Sequence, residues 1–214
     1  MRLTQLILAT GLLFNWLTYA VLASLTDGWT LDSPQAQIQS PYNLPHSARY
    51  TLDTKTDTYH LWVFNTDKPM GKNNPTEPRT ELSFAHYTSG RHEFDADFLV
   101  PTNTSRVTIM QVFGGQNEGN AKHATALQLR IYDGSLKRYD EETLLTNVYD
   151  KWFHLNVIHD AGTHEIQIFI DGKLALITKD FGGGDWHFKC GVYAQKNPSP
   201  EMEVYCRNVR IYRQ

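Results

Sequence analysis

Cysteine is scarce in this chain: Cys190 and Cys206 are the only two in 214 residues. In an oxidising compartment an isolated pair is most simply a disulfide, with two buried free thiols as the alternative. A surplus of charge is also missing. The 20 basic and 23 acidic side chains leave a formal net charge of −3, which argues against a generally basic nucleic-acid binder while still allowing a local cationic cleft. Past the N-terminal segment no stretch sustains 3.6-residue apolar periodicity with caps at both ends, and no repeat or linker interrupts the chain. None of the nine histidines stands at a spacing from Cys, Asp or Glu that demands a catalytic metal, so no cofactor is expected. A structural calcium on loop carboxylates is the one ion left open.

Charge is sparse in the first 23 residues, where Arg2 precedes an apolar run over 6–23 that is broken by Asn15 and closes on Val21-Leu22-Ala23. This reads as a secretory signal peptide, leaving 24–214 as one secreted, monomeric domain without membrane contact. Asn103-Thr104-Ser105 fits the N-glycosylation acceptor pattern and agrees with secretion.

What the chain does have is a succession of short alternating runs bounded by Gly, Pro, Asn and Asp. Strands are expected over 37–40, 48–53, 59–65, 79–84, 91–100, 106–113, 125–132, 152–160, 164–170, 173–178, 187–195 and 202–212, with Asp171-Gly172 as a type I′ hairpin turn. That pattern predicts an all-β sandwich of two antiparallel sheets. Two polar loops, 66–78 and 114–122, adjoin core strands and are candidate binding loops.

The most informative stretch is Phe188-Lys189-Cys190-Gly191-Val192-Tyr193-Ala194-Gln195. On a strand it sends Lys189, Gly191, Tyr193 and Gln195 to one face and Phe188, Cys190, Val192 and Ala194 to the other. One face suits a core and the other a site; Gly191 leaves room for a ligand or marks a bulge. In Arg79-Thr80-Glu81-Leu82, Arg79 and Glu81 share a face, either as a structural ion pair or as a guanidinium held by its neighbour and aimed at a substrate carboxylate. In Ile109-Met110-Gln111-Val112-Phe113 an amide sits in an apolar run and needs a partner.

These three blocks, in order and rough spacing, resemble the alginate lyases of polysaccharide lyase family 7 and the related glucuronan lyases of family 20. The resemblance implies a jelly-roll sandwich with a concave, substrate-holding sheet, and β-elimination on a 1,4-linked polyuronate such as glucuronan or mannuronate-rich alginate. It assigns Arg79 and Gln111 to neutralising the uronate carboxylate and Tyr193 to proton transfer at O4, with removal of the C5 proton as a second role open to the same phenol. Lys189, Gln195 and Glu81 go to substrate binding. Family 7 lyases usually carry a histidine two residues after the glutamine, where this chain has Phe113. His60, on the strand before Arg79, is the replacement candidate, with His86, His92, His154, His159 and His187 behind it.

Two rivals remain open. Glu93-Phe94-Asp95-Ala96-Asp97 resembles the acidic strand of the laminarinase-type glycoside hydrolases, another jelly roll; with Phe94, Ala96 and Phe98 as core, the three acids are expected to be solvated. A non-catalytic carbohydrate-binding sandwich would use Trp62, Trp152 or Trp186 as sugar platforms.

Overall fold

The computed structural model describes residues 28–32, 35–114 and 125–214. The strands, in chain order, are β1 (Thr30–Asp32), β2 (Gln37–Gln39), β3 (Tyr50–Asp53), β4 (Thr58–Phe64), β5 (Arg79–Ser83), β6 (Arg91–Leu99), β7 (Val107–Gly114) and β8 (Thr125–Tyr132). They continue with β9 (Ser135–Arg138), β10 (Glu142–Thr146), β11 (Trp152–Asp160), β12 (Glu165–Ile170), β13 (Lys173–Lys179), β14 (Trp186–Ala194) and β15 (Glu201–Arg213). Among the described residues the one helical element is a 3-10 turn, His46–Ala48. The signal-peptide segment and nearly all of loop 114–122 lie outside the described residues.

The strands form an eight-stranded sheet, ordered β13-β12-β11-β6-β15-β4-β3 with β1 on β15, and a seven-stranded sheet, ordered β10-β9-β8-β7-β14-β5-β2. Every strand pairing within them is antiparallel. The fold is thus the all-β jelly-roll sandwich expected from the period-2 patterning. Phe94, Ala96, Phe98, Leu61 and Val63 from one sheet meet Ile109, Val112, Leu127, Leu129, Phe188 and Val192 from the other, all buried in a single cluster. Because alternate residues supply this core, the intervening side chains of each strand are committed to an outer face.

Three strands go beyond the sequence expectation: β1, β9 and β10. The β8–β9 turn is Asp133-Gly134, with φ of +48° and +77°, the same chemistry as Asp171-Gly172 at +49° and +73°. Both pairs take the double positive φ that a type I′ hairpin needs.

The expected disulfide is not formed. Cys190 on β14 and Cys206 on β15 are free, wholly buried thiols in opposite sheets. Burial, with Cys206 close by adding to the effect, pushes the Cys190 thiol well above its ordinary range. The pair acts as small apolar filling between the sheets.

Candidate functional site

The outer face of the seven-stranded sheet collects most of the residues singled out above. Gln111 on β7 stands opposite Lys189 on β14, and Tyr193 on β14 stands opposite Arg79 on β5. Directly paired residues of an antiparallel ladder share a face, so these side chains meet. The Arg79 guanidinium lies 3.7 Å over the Tyr193 ring centroid. Its Nη1 is 3.4 Å from Glu81 Oε2, and Glu81 Oε1 accepts a short hydrogen bond from Gln111 Nε2. A continuous chain therefore runs Tyr193, Arg79, Glu81, Gln111.

Burial sharpens the chemistry of that chain. Arg79 is 4 % exposed, and Glu81 and Gln111 are 0 %, while Tyr193 is half-buried. A charge held this far from water needs compensation, and Glu81 supplies it for Arg79. Glu81 is a positioning residue here and not the substrate contact expected of it, because its two carboxylate oxygens are taken by Gln111 and Arg79. Arg79 Nε has no partner among the described residues, so the guanidinium keeps donor capacity in reserve.

Lys189 sits beside this chain. Its Nζ is 3.2 Å from Gln39 Oε1 and 3.9 Å over the Phe113 ring centroid. Phe113 thereby receives the ammonium on its π face. Burial is the first cause that lowers the Lys189 pKa, with the Arg79 charge adding to it and Glu81 opposing. Gln195 is tied back, donating to Thr108 Oγ1 at 3.0 Å and to the Tyr193 carbonyl at 3.1 Å.

Gly191 serves the fold and not a ligand. It holds a φ of +139°, and a Cβ there would lie 2.3 Å from the Thr80 carbonyl oxygen. The strand bulges against β7 between Cys190 and Tyr193, so the glycine permits the close β5–β14 approach that brings Arg79 under Tyr193.

His60 does not join the site. It lies on β4 in the eight-stranded sheet, opposite Tyr205 of β15 and next to the core residue Leu61, and points to that sheet's outer face. There it stacks on Tyr205 at 4.2 Å and Trp62 at 4.6 Å and bonds Glu203 Oε2 at 2.8 Å. The whole sandwich core separates it from Tyr193, so it cannot serve as base there.

His187 comes closer. It pairs with Phe113 across β14 and β7 and stacks on His86 at 3.9 Å. Burial, reinforced by the Lys189 charge, lowers its pKa to about 3, which keeps the imidazole neutral.

The acidic strand occupies the opposite side of the molecule. Phe94, Ala96 and Phe98 are in the core, which turns Glu93, Asp95 and Asp97 to the outer face of the eight-stranded sheet. They are tied, not freely solvated. Asn156 Nδ2 donates to Glu93 and Asp95 at 2.9 and 2.7 Å. His154 lies 3.3 Å from Asp95 and 2.9 Å from Asp97, and Arg207 Nε is 3.1 Å from Asp97. Glu93 is 0 % exposed, correcting the expectation of a solvated acid, and burial raises its pKa to about 7.

Of the three tryptophans, Trp186 is buried and cannot be a sugar platform. Trp152 lies on the acidic strand's side under the Arg207 guanidinium at 4.1 Å. Asn103 is exposed in the turn before β7 with a φ of +75°. Among the described residues no group of three or more His, Cys, Asp and Glu could hold a metal ion, and no helix is long and apolar enough to cross a membrane.

Sequence reasoning missed Gln128 and Arg130 on β8. Arg130 Nε and Nη2 donate to Gln128 Oε1 at 2.9 and 2.7 Å, and Gln128 Nε2 donates to Gln111 Oε1 at 3.4 Å. The alternation Leu127, Gln128, Leu129, Arg130, Ile131 carried the signal, since it marks a polar outer face as plainly as 188–195 does.

The architecture is an antiparallel jelly roll with a buried arginine, carboxylate and amide beneath a half-open tyrosine on the outer face of one sheet. Residues 22–213 match the alginate lyase family model, Alginate_lyase2, and the chain belongs to that family. Its fold is similar to that of the alginate lyase AlgAT5 of polysaccharide lyase family 7, at 18% identity and a TM-score of 0.62 over 88% of this chain and 96% of the other. It is also similar to the alginate lyase from Corynebacterium sp., at 15% identity and 0.61 over 86% and 92%. A sequence relative is the citrate-binding protein of Hevea brasiliensis, 42% identical over 197 residues, covering 89% of this chain and 80% of the relative.

Proposed function

We propose that this protein is a secreted polysaccharide lyase that cleaves a 1,4-linked polyuronate by β-elimination. The observation that carries the reading is the buried chain from Tyr193 through Arg79 and Glu81 to Gln111. A uronate carboxylate received by Arg79 and Gln111 would lose part of its charge, which acidifies the proton on C5 and stabilises the carbanion formed when that proton leaves. The C5 electron pair then forms the C4–C5 double bond, the C4–O4 bond breaks, and a proton goes to the departing oxygen. Tyr193 can deliver that proton and, with Phe113 at the family's histidine position, can also take the one from C5.

One phenol can play both parts only if the C5 hydrogen and O4 lie on the same side of the ring, as they do in glucuronate and mannuronate. Glucuronan or mannuronate-rich alginate is therefore the proposed substrate. Incubation with glucuronan, polymannuronate and polyguluronate, followed by the ultraviolet absorbance of the conjugated unsaturated uronate, tests this. The first two should be cut faster, and Tyr193→Phe should lower the rate by roughly 100-fold or more while leaving polymer binding nearly intact. Faster cleavage of polyguluronate would refute the shared-tyrosine scheme.

A second reading has its own support. The relative named a citrate-binding protein and the Phe113 substitution together favour a small-polycarboxylate binder that uses Arg79 and Lys189 without turnover. Citrate binding by calorimetry, with no unsaturated product from any of the three polymers, would select it.

A further inference from the structure

We propose that the open edge of β13 is the contact through which two copies of this chain pair, joining their eight-stranded sheets into one. The inference is independent of the lyase reading and replaces the monomer expected from the sequence. The two sheet orders end on four strands, β13, β3, β10 and β2. β3 has four residues, β2 three, and β10 five with a bulge between Thr143 and Leu145. Short or bulged edges are poor templates for a further strand. β13 has seven residues and pairs with β12 alone, so among the described residues its other row of backbone N–H and C=O groups is open.

That edge is also where exposed apolar surface gathers. Seven large hydrophobic side chains are exposed among the described residues, and three of them, Leu174, Ile177 and Phe181, fall within 174–181. Leu174 is 52 % exposed and Ile177 51 %. They stand opposite Phe169 and Gln167 of β12. Because Ile166, Ile168 and Ile170 of that strand fill the core, this row lies on the outer face of the sheet. A second strand laid along the edge covers such side chains while pairing the backbone.

The ends of the strand favour a second copy and set its register. The devices that discourage edge pairing lie there: Lys173, Lys179 and the bulge where Ile168 and Phe169 face Leu176 and Leu174. Antiparallel pairing of two copies about the midpoint, Leu176, would put Lys173 of each against Lys179 of the other, a repulsion made twice. Pairing about Ile177 removes it. Leu176 then faces Thr178 in the regular part of the strand, Lys179 faces Ala175, and the two Ile177 side chains meet on the two-fold axis. An acidic partner would find less to engage, because Lys179 already stands opposite Glu165 and donates to the Thr163 carbonyl at 3.0 Å. An isologous contact of this kind closes on itself and stops at two copies. Its axis is normal to the sheets, so both Tyr193 faces look out on the same side of the pair.

Sedimentation equilibrium of the intact protein tests the pairing. Over a series from about 1 to 100 µM, the range of small, transient interfaces, the average mass should climb from one copy toward two. Ile177→Lys sets like charges against each other on the axis and should weaken association about tenfold or more, as should Ile177→Glu. Both substitutions fall on a half-exposed side chain and should leave the melting temperature nearly unchanged. An equimolar mixture of the two variants should associate where neither does alone, and added salt should weaken that mixed pair. A mass that stays at one copy across the series overturns the proposal. So does a dimer that survives Ile177→Lys, or a mixture of the two variants that stays monomeric.

Discussion

Glu81 is the residue on which the candidate site turns. Its carboxylate faces Arg79 with one oxygen and Gln111 with the other while being wholly buried. Glu81→Gln keeps the shape and removes the charge, leaving a buried guanidinium uncompensated and the Gln111 amide without its anionic acceptor. Breaking one side of a buried pair costs about 3 to 5 kcal/mol; the 3.4 Å separation puts this pair at the lower end. We expect a lower denaturation midpoint, and a turnover that falls more than the Michaelis constant rises. Unchanged stability and rate in Glu81→Gln would show that Arg79 holds its place without the carboxylate. Sharing of a face by Arg79 and Glu81 was legible from their i, i+2 spacing. That Glu81 spends both oxygens inside the protein was not, because strand alternation gives a face and says nothing of which partner a side chain finds there. His60 shows the same limit: its neighbours in sequence suggested proximity to Arg79, but the chain changes sheets between β4 and β5.

At the scale of the element, β14 carries both halves of the molecule, core on one side and site on the other. Its partners β5 and β7 bring Arg79 and Gln111 to Tyr193 and Lys189. The registry depends on Gly191, where a Cβ would meet the Thr80 carbonyl oxygen at 2.3 Å and Glu81 Cα at 2.9 Å. Those contacts are backbone and cannot step aside as a flexible side chain would. Gly191→Ala should therefore force β5 away from β14 and destabilise by about 2 to 4 kcal/mol. The Arg79–Tyr193 stacking would be disturbed at the same time. Circular dichroism melting checks the first effect and product absorbance the second, and an alanine variant as stable as the parent would mean the bulge can relax. Most strands were readable because apolar residues at every second position match one buried face. Ser135–Arg138 and Glu142–Thr146 were harder, since they lie toward the sheet edge with one apolar position or a bulge. Asp133-Gly134 nonetheless offered the same turn signal as Asp171-Gly172.

Over the whole molecule, the formal charge of −3 conceals two unlike outer faces. One carries Arg79, Lys189, Arg130 and Lys137 around Tyr193; the other carries the acidic ladder of β6. This division separates the lyase reading from the laminarinase-type alternative in space, because a polyuronate attracted to the first face would be repelled by the second. The ladder also makes stability depend on pH. Folding raises the Glu93 pKa from 4.5 to about 7, chiefly by burial, with Asp95 adding to the rise and Asn156, His154 and Arg91 opposing it. The folded state thus binds the extra proton in that window, and stability falls as pH rises through it. His154 moves from 6.5 to about 10 through its bonds to Asp95 and Asp97, so its contribution is complete below its unfolded value and is lost as pH rises through the folded one. Asp97 moves from 3.8 down to about 2, first through His154; its share is present above the unfolded value and lost as pH falls through the folded one. The last two describe one contact from its two sides. Together they place maximal stability of this face near pH 4 to 5, by roughly the window the three shifts leave open.

Among the described residues Glu93 Oε2 and Asn156 Oδ1 are both buried without partners, while Asn156 Nδ2 already donates to Glu93 Oε1. A proton on Oε2 gives Glu93 a donor for Asn156 Oδ1, as the second amide hydrogen would in Glu93→Gln. We therefore expect Glu93→Gln to match the parent near pH 5 and to exceed its stability by about 1 to 3 kcal/mol near pH 8, where the parent must bury a carboxylate. Denaturant midpoints measured across that range read the effect directly. If the parent's loss of stability between these pH values persists undiminished in Glu93→Gln, Glu93 is not the group whose titration drives it.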